Sequence, residues 1–278
     1  MPFMQPTDPT TRRRRVFIYG ATGSGKTHAF RTFPGPRYVL ICPGEKGQDT
    51  LLKGDGSPAD ADTIVRVWEN ADPDGKQVET STAVVEQVRK EIIAALKGTY
   101  GPITTLCIDG LDKLYHYVLD ALSGGQYFEG SEIRTASNQN PDVLDPRVFG
   151  QAERWLFDLL SLVNQSRKMP YAAMSAWDAE KAIRKVSKAS GEKWTDVPQA
   201  YQPAFYSTAA KNICGQFGAV VHASVGKVEG VEGKVHRWQT KADAQVIGCQ
   251  IKAPAEIVEK VPKFVRADWR ELARYLEA

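Results

Sequence analysis

Short apolar runs alternate with amphipathic stretches along most of the chain. Val16–Tyr19 is the first run, and it leads at once into the glycine-rich stretch Gly20–Gly25. A short helix is expected next, ending near Phe33, because Pro34, Gly35 and Pro36 stop it. Tyr38-Val39-Leu40-Ile41-Cys42 reads as a second buried strand, closed by Pro43 and Gly44. Thr63–Trp68 reads as a third, richer in β-branched residues, and the glycine-containing loop Gly44–Asp62 joins the two. Val84, Val85, Val88, Ile92 and Leu96 recur at helical spacing and define an amphipathic helix that stops at Gly98. Ile103–Ile108 is a fourth strand, apolar on both faces towards its end, as in a parallel sheet covered on both sides.

A short helix begins near Leu111, and the Gly- and Asn-rich segment Ser123–Pro146 follows it. Ala152, Trp155, Leu156, Leu159, Leu160 and Val163 form one stripe and mark the clearest helix. Tyr171–Ala176 is a fifth strand; Ala219–Ser224, His236–Lys241 and Val246–Lys252 are further strand candidates. The final helix, Asp268–Leu276, has Asp268 as N-cap and Trp269, Leu272 and Leu276 on one face. This alternation predicts an α/β fold with a mainly parallel central sheet flanked by helices. The closely spaced late strands predict an antiparallel C-terminal extension. Residues 1–15 read as a flexible basic arm and 16–278 as one domain.

Charge sharpens that division. The chain of 278 residues carries a formal net charge of +3, yet Arg12, Arg13, Arg14 and Arg15 alone supply four positive charges, so the remainder is slightly acidic. A protein that coats nucleic acid with its whole surface is excluded, and any polyanion contact must be local. No apolar run approaches the ~20 residues that span a bilayer, and the N-terminus lacks the apolar core of a secretory signal. Cys42, Cys107, Cys214 and Cys249 form no C-x-x-C pair, and His28, His116, His222 and His236 show no metal-ligand spacing. A reduced, cytoplasmic setting is expected.

The most specific chemistry lies in Gly20-Ala21-Thr22-Gly23-Ser24-Gly25-Lys26-Thr27, which fits G-x-x-x-x-G-K-[ST] at every fixed position, with a strand before it and a helix after it. Glycines let backbone N–H groups converge on phosphate oxygens, and the helix N-terminus adds partial positive charge. Lys26 is expected to reach the β- and γ-phosphates of ATP, and Thr27 to ligate Mg²⁺. The second metal contact is expected from an acid ending a neighbouring apolar strand, and Leu106-Cys107-Ile108-Asp109 supplies it. Two strand candidates lie between these motifs in the sequence. They leave room for an extra strand between the Lys26 strand and the Asp109 strand, as in the division of P-loop proteins that includes motors and recombinases. Hydrolysis also needs a group that orients water. Gly110 stands where many ATPases carry a glutamate directly after the acid. Glu45, beyond the second strand, and Asp112, on a helix that would aim it elsewhere, are the alternatives.

With these residues placed, the chain resembles the RecA-like ATPases encoded by bacteriophages, the group that includes single-strand-annealing recombinases. The resemblance rests on Val16–Thr27, the second strand ending near Glu45, Leu106–Leu114, and Phe149-Gly150 ahead of the Trp155 helix, and it covers roughly 14–276. It implies an ATP- and Mg²⁺-dependent core that assembles as a ring or filament on single-stranded DNA. It favours Glu45 over Asp112 as the catalytic glutamate, although Pro43-Gly44 departs from the usual approach to that residue. It implies a γ-phosphate sensor at the end of the fifth strand, where Ser175 stands in place of the commoner Gln, Thr or His. It also implies a basic residue that reaches a neighbour's nucleotide, and only Lys252 matches, followed by Ala253 and Pro254.

DNA has two candidate contacts. Lys181, Arg184, Lys185, Lys188 and Lys193 stand against Glu192 alone within Lys181–Trp194, with Trp194, Tyr201 and Tyr206 in or just beyond the segment. Basic residues interleaved with aromatics suit single strands, whose bases offer faces for stacking. The Arg12–Arg15 run is the second. The alternatives are an oligomeric ATPase that acts on a protein partner without DNA, and a nucleotide-gated assembly factor with negligible turnover.

Overall fold

The computed structural model describes residues 14–68, 79–128, 144–166, 168–181, 200–206 and 209–277. In chain order the strands are β1 (Arg15–Tyr19), β2 (Arg37–Ile41), β3 (Thr63–Val67), β4 (Thr105–Asp109), β5 (Tyr171–Ala176) and β6 (Asp178–Lys181). They continue with β7 (Ala200–Pro203), β8 (Ala219–Val228), β9 (Val231–Gln239), β10 (Gln250–Ile251) and β11 (Phe264–Arg266). The helices are α1 (Lys26–Ala29), α2 (Ser81–Lys97), α3 (Leu111–Leu122), α4 (Pro146–Gln165), α5 (Ala209–Cys214), α6 (Ala255–Lys260) and α7 (Trp269–Leu276).

Six strands run parallel in the order β8-β1-β5-β4-β2-β3. β9 and β10 pair antiparallel with β8, and β11 pairs antiparallel with β9. The protein is therefore α/β, with a mixed, mostly parallel sheet and the expected antiparallel extension. A strand does stand between β1 and β4, but it is β5, which follows the Asp109 motif in the chain. β2 and β3, the two candidates from within the interval, lie beyond β4 instead.

Alternation within the parallel strands explains why they read as unbroken apolar runs. Phe17 and Tyr19 of β1, with Leu106 and Ile108 of β4, face the layer that contains Val88, Leu114 and Leu156 of α2, α3 and α4. Val16, Ile18 and Cys107 face the opposite layer with Phe30, Trp238 and Trp269. Both faces are covered, so no polar alternation remains. All four cysteines are free and buried. Among the described residues no helix is long and apolar enough to cross a membrane.

Several boundaries differ from the sequence reading for local reasons. Arg15, counted with the basic arm in the sequence, begins β1 and is 1% exposed. Its guanidinium donates to the carbonyls of Val163, Ser166 and Met169 at 3.2, 3.4 and 2.9 Å, at and just beyond the C-terminus of α4. A cation there satisfies orphan carbonyls and opposes the helix dipole. Residues 1–13, with Arg12 and Arg13, lie outside the described residues. α4 starts earlier than its apolar stripe, because Asp145 accepts the N–H of Arg147 at 2.8 Å and Pro146 occupies the first turn. Phe149 and Gly150 therefore lie inside the helix. α7 follows expectation, with Asp268 accepting from the N–H of Arg270 at 2.8 Å.

His116 sits inside an aromatic cluster beneath α3, with its Nδ1 2.8 Å from the Tyr127 hydroxyl. Burial pushes its pKa down to about 3, with Lys113 adding to the shift. The unfolded chain then binds a proton that the folded chain refuses, so stability is present above the ordinary histidine range and lost as the pH falls through it. Between pH 6.5 and 4.5 the loss should be roughly 2–3 kcal/mol. Urea unfolding across that window should show the decline, and His116→Gln should flatten it.

Candidate functional site

Parallel α/β sheets place ligands at the carboxyl ends of their strands, and the predicted site residues gather there. β1 ends at Tyr19 and passes directly into Gly20–Gly25, and Gly25, at φ +88°, precedes the first turn of α1. A Cβ on Gly25 would stand 2.8 Å from Nδ1 of His236, so the loop has no room for a side chain there. Lys26 is buried, and its ammonium donates to the carbonyls of Gly20 and Ala21 at 2.7 and 3.0 Å. Burial lowers its pKa, against the pull of Asp109, Glu45, Asp112 and Asp178. The hydroxyl of Ser24 is buried in the same loop without a hydrogen-bond partner. A buried lone polar atom beside an ammonium that bridges loop carbonyls suits an incoming oxyanion.

Asp109 ends β4, fully buried. Thr27 donates to its Oδ2 at 2.6 Å, and Ser175 donates to its Oδ1. Burial pushes the Asp109 carboxyl up, opposed by these two hydrogen bonds and by Lys26. The hydroxyl of Ser175 also accepts the backbone N–H of Gly110 at 3.1 Å. Its proton is thus engaged on Asp109, and in this arrangement Ser175 orients the acid.

Glu45 reaches the same place from the turn after β2. Its carboxyl lies over Gly110, where a Cβ would meet Glu45 Cγ at 2.5 Å, and Gly110 adopts φ +86°. Glycine after Asp109 thereby acquires a physical reason: the backbone there is left-handed and the space above it belongs to Glu45. Oε2 of Glu45 accepts from the indole N–H of Trp177 at 3.3 Å, while Oε1 is buried without a partner. Burial pushes its pKa up to about 8, helped by Asp109 and Asp112 and opposed by Lys113 and Lys26.

Asp112 does not point away as a helix starting near Leu111 suggests. It is fully buried in the first turn of α3 and acts electrostatically on both Lys26 and Glu45. The reason is that the whole of α3 through Asp120 is buried, leaving no solvent face for Asp112 to occupy. Trp177 and Lys113 carry no signal in the sequence; the Lys113 ammonium lies 3.7 Å from the Trp177 ring centroid. No spacing rule links these two residues to Glu45.

The remaining candidates separate. Lys252 follows β10 at the opposite, N-terminal end of the parallel strands, where its ammonium donates to the carbonyl of Gly215. The fold does not bring it to the phosphate loop of its own chain. Lys181 ends β6, which pairs with β7 as a separate two-stranded ribbon rising from the site end of β5. Arg184, Lys185, Lys188 and Trp194 lie between these strands, outside the described residues. Tyr201 is exposed, with its ring stacked on His222 at 5.9 Å, and His222 Nε2 lies 3.1 Å from Asp178. Tyr206 is different: it packs against Tyr127, Phe149 and Tyr115 beside the main core, so it offers no face for a base.

Gly110→Ala should be costly twice, through the left-handed backbone and through displacement of Glu45. A loss of about 1–3 kcal/mol in denaturant unfolding is expected, whereas Gly124→Ala, with φ +68° and open space around it, should show only the backbone cost.

No protein-family model matches the chain, and no curated protein matches its sequence.

Proposed function

We propose that the protein is a Mg²⁺-dependent ATPase with a RecA-like core that acts on single-stranded DNA in phage recombination or replication. One observation carries the nucleotide part: the phosphate-loop threonine and the acid ending β4 meet at 2.6 Å, although 82 residues separate them. A hydroxyl and a carboxylate so paired form the donor set that holds a nucleotide-bound Mg²⁺ in P-loop proteins. The strand order, with β5 between β1 and β4, supports the RecA-like reading.

In this reading the loop N–H groups and Lys26 hold the phosphates, and Thr27 and Asp109 hold Mg²⁺. The ion, when bound, neutralises charge on the β- and γ-phosphates. Glu45 orients the attacking water through its unpartnered Oε1, and Ser175 keeps Asp109 in place. Lys26→Ala is expected to abolish ATP binding in calorimetry while leaving the circular dichroism spectrum unchanged. Unaltered affinity in that variant would falsify the site assignment.

DNA binding draws support from where the basic segment is attached. The β6–β7 ribbon follows the end of β5, the strand whose Ser175 touches Asp109, and the basic residues come next in the chain after Lys181. Self-association as a ring or filament belongs to the same reading, as does a cytoplasmic setting. Changing Arg184, Lys185 and Lys188 to Gln should weaken single-stranded DNA binding alike for all sequences. The slope of log K against log salt should become shallower by about 0.7 for each phosphate that is no longer neutralised. A slope equal to that of the unmodified chain would remove this segment as the DNA-binding element.

The nucleotide-gated assembly factor keeps one supporting observation. With its pKa pushed up to about 8, the Glu45 carboxyl is mostly protonated at neutral pH, which favours slow basal turnover.

A further inference from the structure

Trp177 occupies a position that core packing alone does not explain. It is the single residue between β5 and β6, half-buried, and three of its groups meet the site from different directions. Its indole N–H donates to Glu45 Oε2 at 3.3 Å. Its ring face carries the Lys113 ammonium at 3.7 Å. Its backbone N–H lies where it favours the ionised form of Asp112, and its carbonyl accepts the N–H of Ala204 at 2.9 Å. Lys113 and Asp112 are both buried in the first turn of α3.

These contacts define the plane of the indole. The cation lies against its face, the backbone hydrogen bonds hold the main chain from which it extends, and its N–H edge meets Glu45. A carboxylate on a turn beyond β2 would otherwise rotate about its side-chain torsions. One oxygen of Glu45 is held by the indole, and the other, buried and unpartnered, is left to accept from a third group. The contact is also asymmetric in chemistry. Indole nitrogen is donor only, so Trp177 can hold Glu45 without competing for the proton that the carboxylate must accept.

We propose that Trp177 is a positioning residue for Glu45, fixing the carboxylate so that Oε1 faces the attacking water. The inference rests on the reading of Glu45 given above. It assigns Trp177 no contact with nucleotide or metal, and its effect passes through Glu45 alone.

Trp177→Phe retains a ring for Lys113 and removes the N–H. The expected result is a fall in the ATP turnover number of about tenfold or more, with KM for ATP and the thermal midpoint little changed. In a Glu45→Gln background the same substitution should add almost nothing, because its effect acts through the carboxylate. A second measurement needs no turnover. The sequence holds six tryptophans, so an ¹⁵N correlation spectrum has six indole signals, and the one missing in Trp177→Phe belongs to Trp177. That signal should move in Glu45→Ala.

Each other result is decisive in its own way. If Glu45→Gln lowers turnover but Trp177→Phe does not, the positioning role is overturned and the water-orienting role of Glu45 stands. If Glu45→Gln leaves turnover unchanged, that role of Glu45 fails and the proposal fails with it. An indole signal unmoved by Glu45→Ala shows that the hydrogen bond is not made in solution. A full Trp177→Phe effect persisting in Glu45→Gln marks a general packing role instead.

Discussion

The buried carboxylate of Asp109 joins three strand ends that the chain delivers separately. Thr27 reaches it from α1, which follows β1, and Ser175 from β5, while Asp109 itself ends β4. A carboxylate removed from water is unfavourable unless hydrogen bonds and charge compensate it. Here the compensation comes from the Thr27 and Ser175 hydroxyls, with Lys26 adding its charge. The geometry of the loop, the order of β1, β5 and β4, and the solvation of one acid are therefore a single constraint.

Around that constraint the sheet does two jobs. Its two apolar layers hold the parallel strands in register, so their carboxyl ends form one rigid edge. The chain leaving that edge at β1, β2 and β4 presents a charged side chain three to seven residues after its strand: Lys26, Glu45 and Asp112. β5 is different. Its continuation through Trp177 into the β6–β7 ribbon makes the strand between β1 and β4 a direct connection from the Asp109 cluster to that ribbon. In the proposed function this link is what would let nucleotide and DNA influence one another.

Electrostatics gives the site its second character. Asp109, Asp112 and Glu45 share the site with two buried lysines, Lys26 and Lys113, and burial pushes all three carboxyls up. The acids outnumber the lysines at this desolvated end of the sheet, and Lys26, which donates to the carbonyls of its own loop, offsets their charge only in part. An incoming cation would relieve it, in keeping with the proposed need for Mg²⁺ alongside the phosphates.

Local rules hold wherever neighbours in sequence are neighbours in space. The phosphate-loop motif, the apolar run ending in Asp109, the stripes of α2 and α4 and the Asp268 cap are all legible in the sequence, because each depends on φ/ψ preference, periodicity or hydrogen bonds within a few residues. Arg15 escapes them for the complementary reason: its partners are the carbonyls of Val163, Ser166 and Met169, which no local pattern announces. The same holds for β11, the β6–β7 ribbon, the burial of Asp112 and the Trp177–Glu45 hydrogen bond. The chain's local patterns announce a glycine-rich loop after β1, an acid at the end of an apolar strand and an α/β sheet to carry them. Which strand separates those two motifs, and why position 110 has to be glycine, follow from the tertiary structure alone. Those outcomes depend on side chains far apart in the chain competing for the same buried space.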